Sequence, residues 1–296
     1  MAVGNTSAAQ WRAIEDVNVL AASTRRPWKE ISSTVIEDFQ RDGVIVMRQA
    51  FPEWVEPLRD GLQRNLDNPQ SFAFPCESTS GDEPGRFFDS YCNWQLIPEY
   101  LLFAFTSYAA AMAAQLMQSK TAQLFHDHAF AKEPGTQKAT PWHHDLPYYC
   151  IDGTQTVSIY VALDVIPAPT AVRFIKGSHR DGNMYRPRDF ASGTEYEHND
   201  ASLVSAPDVD PHGTHVFVEA LDPGDALCFD FRTLHGTTAA EIKNRRRAFS
   251  TRWMGDDVRY LERQGETSPP LQNLGLQSGE VMRPDLFPVL WPPPHD

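Results

Sequence analysis

From Ala122 onward the sequence breaks into short runs rich in β-branched and aromatic residues, and this limits the fold more than any other feature. Gln123–Lys132, Thr156–Leu163, Ala171–Lys176, His215–Ala220, Ala226–Phe231 and Ala248–Trp253 each have the length and make-up of a strand. Turn-forming clusters separate them: Pro134-Gly135, Asp152-Gly153, Pro167–Thr170, Gly177-Ser178 and Pro223-Gly224-Asp225. Many short strands with turn signals between them predict a mainly β domain, a sandwich or a barrel.

The chain before Ala122 reads differently. Residues 1–34 are mixed and polar, an N-terminal extension with at most a short, loosely packed helix. Asp42-Gly43 introduces the apolar run Val44–Met47, short enough for a buried strand. After Pro52, Trp54, Leu58, Leu62 and Leu66 recur at helical spacing. Residues 67–90, rich in Asn, Pro, Gly and Ser, read as a loop, and Pro98–Met117 as one long helix backing onto a sheet. Residues 182–212 form a polar insert suited to covering a substrate. The Pro-rich tail, 280–296, is expected to lie extended over the surface. No internal repeat or linker marks a boundary, so residues 1–296 are expected to form one domain.

A formal net charge of −13 argues against nucleic acid or an anionic membrane as the main partner. A small molecule fits better, and the oligomeric state is left open between monomer and homodimer. Cys76, Cys92, Cys150 and Cys228 are scattered without a disulfide framework and read as reduced thiols. There is no signal-peptide pattern and no apolar run of membrane-spanning length, so the expected location is the cytoplasm.

The chemistry is concentrated in Thr140–Tyr149. His143 and Asp145 stand one residue apart, and on an extended strand such positions point the same way. With His235 as third ligand, two imidazoles and a carboxylate would hold a metal with three positions left open, the arrangement of non-haem Fe(II) oxygenases. An H-x-D triplet alone is weak, because His179/Asp181 and His198/Asp200 repeat it in stretches that read as solvated loops. His144 should point away from its two neighbours. His126, His128 and Trp142 are candidates to line a pocket, although a satisfied interior histidine is the plainer reading for the first two.

Further pieces join the triplet: Asp42-Gly43-Val44, K-E-P-G-T at Lys132–Thr136, W-H-H-D at Trp142–Asp145, A-L-D at Ala162–Asp164, R-F-I-K-G-S-H at Arg173–His179, P-G-D at Pro223–Asp225, L-H-G-T at Leu234–Thr237 and R-R-A-F-S at Arg246–Ser250. In their order and separation these resemble the phytanoyl-CoA dioxygenase family of Fe(II)/2-oxoglutarate oxygenases, over most of residues 39–256. The resemblance implies a double-stranded β-helix (jelly-roll, cupin-like) core with flanking helices. It implies iron held by His143, Asp145 and His235, and a 2-oxoglutarate carboxylate held by Arg246, eleven residues beyond His235. An arginine fork suits a buried carboxylate. Strand alternation would turn Arg245 and Arg247 away, and a register shift of one residue would promote Arg247 instead.

Three residues have two readings. Tyr160 aligns with an aromatic position beside the cosubstrate and is equally suited to plain core. Lys132 either reaches a carboxylate from the neighbouring strand or ends its strand exposed. Thr237 either bonds near the cosubstrate or caps the turn after His235. The sequence departs from the family at Pro167–Thr170, a turn expected to lie far from the ligands. The implied reaction is hydroxylation, or another oxidation, of a small metabolite, with release of succinate and CO2. Related halogenases lack the carboxylate ligand that Asp145 supplies here. The acidic balance points to an uncharged or cationic substrate. The alternatives are a jelly-roll metalloenzyme that does not use 2-oxoglutarate and a non-catalytic binding relative.

Overall fold

Side-chain alternation along the strands sorts this chain into an apolar outer layer and a polar interior. The computed structural model describes residues 29–72, 74–77, 84–190, 192–196, 200–271 and 273–292. Most of the N-terminal extension, residues 1–28, thus lies outside the described residues. Helix α1 (Ser33–Asp42) leads into β1 (Val44–Met47), and α2 (Val55–Asp67) is followed by β2 (Pro75–Glu77) and β3 (Phe87–Tyr91). Helices α3 (Pro98–Thr106) and α4 (Ala109–Met117) precede β4 (Ala122–Lys132), β5 (Ile151–Asp152) and β6 (Thr156–Ala162). Then come β7 (Arg173–Ile175), β8 (Met184–Tyr185), β9 (Leu203–Val204), β10 (Val216–Val218) and β11 (Ala226–Phe229). The chain closes with β12 (His235–Gly236), β13 (Arg246–Met254), β14 (Arg259–Tyr260) and β15 (Val289–Trp291).

Eight strands make the larger sheet, in the order β1-β11-β6-β13-β4-β3-β2 with β15 also on β4. A three-stranded sheet, β10-β7-β12, meets it through a shared apolar cluster in which Phe174 packs 5.1 Å from Phe229. The six strands expected after Ala122, and that at Val44–Met47, form, and the architecture is the mainly β jelly-roll with flanking helices. On the outer face Ala129, Ala131, Val157, Ile159, Val161, Phe249 and Trp253 pack with Tyr100, Phe103 and the alanines of α4 in one buried cluster. Burying a side chain of Phe249's size stabilises by roughly 1.5–3 kcal/mol.

Four expectations change. Ser33–Asp42, not anticipated, is helical because Ser32 caps its first turn, and Gly43 ends it at φ 72°. A Cβ on Gly43 would also stand 2.4 Å from His179 Nδ1, so no other residue fits there. Pro98–Met117 is two helices bent by 51°, because Ser107 turns extended and its Oγ accepts from Ala109 N at 3.2 Å. Among the described residues no single helix is long and apolar enough to cross a membrane. The supposed loop 67–90 contains β2 and β3, which extend the sheet beyond β4. The tail does not merely lie on the surface: β15 pairs with β4, and Phe287 and Leu290 are buried.

Candidate metal centre and cosubstrate pocket

His143 and His235 are brought together by backbone, not by chance proximity of side chains. The two residues form an isolated antiparallel bridge, with N–H to O distances of 2.9 and 3.0 Å in the two directions. Gly236 permits this approach, since a Cβ there would stand 3.0 Å from the Thr140 carbonyl and 3.2 Å from Trp142 N. The expected regular strand at 143–145 is absent. Asp145 has helical angles, φ −71° and ψ −42°, and starts a 3-10 turn, while its amide donates to Phe231 O at 2.8 Å. The two side chains converge nonetheless.

Asp145 Oδ1 stands 3.6 Å from Nε2 of His143 and 3.6 Å from Nε2 of His235, and all three residues are buried. Each histidine donates Nδ1–H to a backbone carbonyl at 2.8 Å, His143 to Pro141 and His235 to Thr233. A carbonyl can only accept, so both Nε2 atoms carry lone pairs that face the carboxylate. Burial, with His143 adjacent, pushes His235 down to about 3, so its imidazole is neutral. Burial alone would raise Asp145, but the Arg252 charge opposes it and holds the carboxyl below its usual range. Two lone pairs and a carboxylate oxygen converging in a dry space repel one another unless a cation sits among them. The donor set therefore fits an ion, and oxygen plus imidazole donors suit iron.

Deeper along the inner face, Arg246 on β13 is directly opposite Lys132 on β4. Arg246 Nη2 donates to the Tyr160 hydroxyl at 3.2 Å, and Nη1 donates to the Thr170 carbonyl. Lys132 Nζ donates to Lys138 O at 2.9 Å and lies over the Phe87 ring. Both cations are buried, so Lys132 is no exposed strand end, and among the described residues neither has a carboxylate partner. Burial, then the Arg246 charge, pushes the Lys132 ammonium down to about 7. Arg247 turns outward to pair with Asp164 at 2.9 Å, and Arg245 pairs with Glu133 at 2.9 Å near solvent. The register alternative that favoured Arg247 is thereby resolved toward Arg246 as the inward arginine.

The remaining expectations divide. Thr237 Oγ1 accepts from Thr140 N at 2.7 Å, which ties the 136–142 segment to the strand after His235. The bond joins segments remote in sequence, so it is not a local cap of the turn after His235. The departing turn Pro167–Thr170 is not remote from the pocket, because its Thr170 carbonyl receives Arg246. His128 faces inward, bonded to Asp89 at 2.9 Å, and His126 Nδ1 donates to Asp127 O at 3.0 Å. Trp142 is half-buried beside the bridge. His144 is buried against Tyr185, away from its neighbours' cluster. His179 is buried over Gly43, not solvated as its sequence suggested, and His198 lies outside the described residues. Phe190 of the insert places its ring 4.7 Å from His143. Sequence reasoning missed Arg252, Tyr149 and Ser158. Arg252 has the strand parity of Arg246, which was the available signal.

The model of the phytanoyl-CoA dioxygenase family matches residues 39–248. No curated protein matches the chain. Among solved structures, the non-haem α-ketoglutarate-dependent carbocyclase SnoK from nogalamycin biosynthesis is similar at 18% identity, over 88% of this chain and 97% of that one, with TM-score 0.66. The epimerase SnoN, in complex with Fe3+, α-ketoglutarate and nogalamycin RO, is similar at 19% identity, over 87% and 97%, with TM-score 0.66. EctD from S. alaskensis, with 2-oxoglutarate and 5-hydroxyectoine, is similar at 17% identity, over 84% and 90%, with TM-score 0.58. The chain belongs to the phytanoyl-CoA dioxygenase family and is an iron- and 2-oxoglutarate-dependent oxygenase.

Proposed function

We propose that this protein hydroxylates a small uncharged or cationic metabolite, with His143, Asp145 and His235 as iron ligands and Arg246, Tyr160 and Lys132 as the cosubstrate pocket. The observation that carries the pocket assignment is the pair of buried, facing cations Arg246 and Lys132, which have no carboxylate partner among the described residues. Such charges call for an anion, and the far carboxylate of 2-oxoglutarate is one. Bound iron with 2-oxoglutarate supplies the oxidising power, through decarboxylation to succinate and CO2.

The chain's own residues do the rest. The histidine Nδ1–carbonyl bonds fix the ring planes and keep Nε2 free for the metal. Arg246 and Tyr160 orient the cosubstrate, and the Phe190, Tyr148 and Phe174 rings around the histidines exclude water. Residues 182–212 are proposed to cover the substrate. Within this insert, Asp189, Glu195 and Tyr196 line, with Glu266, a recess of about 530 Å³ whose acidic rim disfavours an anionic ligand. The presence of Asp145 favours hydroxylation over halogenation, and the same site is compatible with cyclisation or epimerisation.

The test is 2-oxoglutarate-dependent succinate release with candidate substrates, in the parental protein and in Asp145→Ala and Arg246→Ala. Activity should vanish in the first, and the second should raise the 2-oxoglutarate requirement by orders of magnitude. Turnover in Arg246→Ala at unchanged 2-oxoglutarate requirement would sink the pocket assignment.

A further inference from the structure

Arg252 sits on β13 six residues after Arg246, so both guanidinium groups enter the interior from the same face. It is 4% exposed. A guanidinium buried that deeply needs partners, and its Nη2 lies 3.5 Å from Asp145 Oδ2 while its Nε donates to the Tyr149 hydroxyl at 3.2 Å. Ser158, directly opposite Arg252 on β6, donates its hydroxyl to the same Asp145 Oδ2 at 3.3 Å. The other oxygen, Oδ1, is the one that faces both histidine Nε2 atoms. The two oxygens of one carboxylate therefore have separate partners, one set belonging to the sheet and one to the ligand cluster.

We propose that Arg252, assisted by Ser158, is a positioning residue that occupies Asp145 Oδ2 and leaves Oδ1 alone for the ion. This rests on the reading of His143, Asp145 and His235 as the ligand set. The consequence is a count of positions. A carboxylate gripping the ion through both oxygens would take a fourth site, leaving two. One bound through Oδ1 leaves three, enough for a chelating 2-oxo acid and dioxygen together. An unrestrained carboxylate would turn about its terminal torsion, which is broad and soft.

The experiment compares the parental protein with Arg252→Lys, Arg252→Met, Ser158→Ala and Tyr149→Phe. Each is titrated anaerobically with Fe(II) and then 2-oxoglutarate, with the visible charge-transfer band recorded and the thermal midpoint of the metal-free protein measured alongside. Removing a partner of a metal ligand commonly weakens metal binding by about 10–100-fold, and that loss is expected for Arg252→Met, together with a displaced band. Arg252→Lys should fall between Met and the parent, and Ser158→Ala should lose less. A lowered thermal midpoint with parental iron affinity and an unmoved band would mean that Arg252 only packs the interior, and the proposal falls. If Arg252→Met does not fold, Arg252→Lys and Tyr149→Phe carry the test: weaker iron binding in both supports it, and parental affinity with an unmoved band in both overturns it. A parental protein that binds no iron would sink the ligand-set reading and this inference with it. A parental protein that binds iron, with indifferent variants, would sink the inference alone.

Discussion

On β13, Arg247, Phe249, Thr251 and Trp253 face outward, whereas Arg246, Ala248, Ser250 and Arg252 face the interior. β4 divides likewise, with Leu124, Ala129 and Ala131 outside and His126, His128, Phe130 and Lys132 inside. The outer face packs as a mostly apolar core against α3 and α4, with Arg247 at its edge and Thr251 and Asp127 within it. The inner face holds two arginines, a lysine and two histidines. Fold stability and reactivity are thus carried on opposite sides of one sheet. The outer packing holds the strands in register while the inner face keeps charged groups that a self-sufficient core would avoid.

The separation can be broken from either side. Phe249→Ala should cost about 3–5 kcal/mol in denaturant unfolding while the folded fraction keeps its iron affinity. Equal loss of both would show that the faces are not independent. Arg246→Ala should leave the unfolding midpoint nearly in place and weaken 2-oxoglutarate by roughly 2–5 kcal/mol in a binding titration, the scale for truncating one member of a buried charged pair.

Lys132 offers a finer probe. Its ammonium is pushed down to about 7, by burial first and then by Arg246. An arriving carboxylate favours the charged form, so binding above pH 7 takes up a proton. The 2-oxoglutarate affinity should then fall by up to about tenfold per pH unit as pH rises beyond 7, and stay flat below it. Calorimetry in buffers of different ionisation enthalpy would detect that proton, and Lys132→Met should abolish the slope.

The outer side of β4 carries one ionisable residue. Asp127 accepts from the Asn93 and Trp94 amides at 2.7 and 2.8 Å, and burial pushes its carboxyl up to about 7. A raised acid contributes stability that is full below the ordinary carboxylate range and is lost as pH climbs through 7. Asp127→Asn keeps an acceptor without the charge. Its thermal midpoint should match the parent near pH 4 and exceed it at pH 8, by a smaller margin than the other effects.

Much of this division could be read from the residues, because alternation survives wherever a strand is regular. The parity of Arg245, Arg246 and Arg247 placed the inward arginine correctly. His126 and His128 kept a common face because the bulge that disturbs β4, opposite Arg252/Trp253, falls before them. Three things were hidden. β3 is only five residues long and buries Asp89 on the inner face and Ser90 on the outer one, so its polarity mimicked a loop. The break at Ser107 depends on one side chain competing for a backbone amide. The facing of Lys132 with Arg246, and of Arg252 with Asp145, depends on inter-strand register and on the helical turn at Asp145, neither of which is a local property.

The most direct test of the division is anaerobic titration of the metal-free protein with Fe(II) and then 2-oxoglutarate, beside Asp145→Ala. A visible charge-transfer band that forms in the parent and is absent from the folded variant is the predicted result. Iron binding without a band, or a band that survives the loss of Asp145, would contradict it.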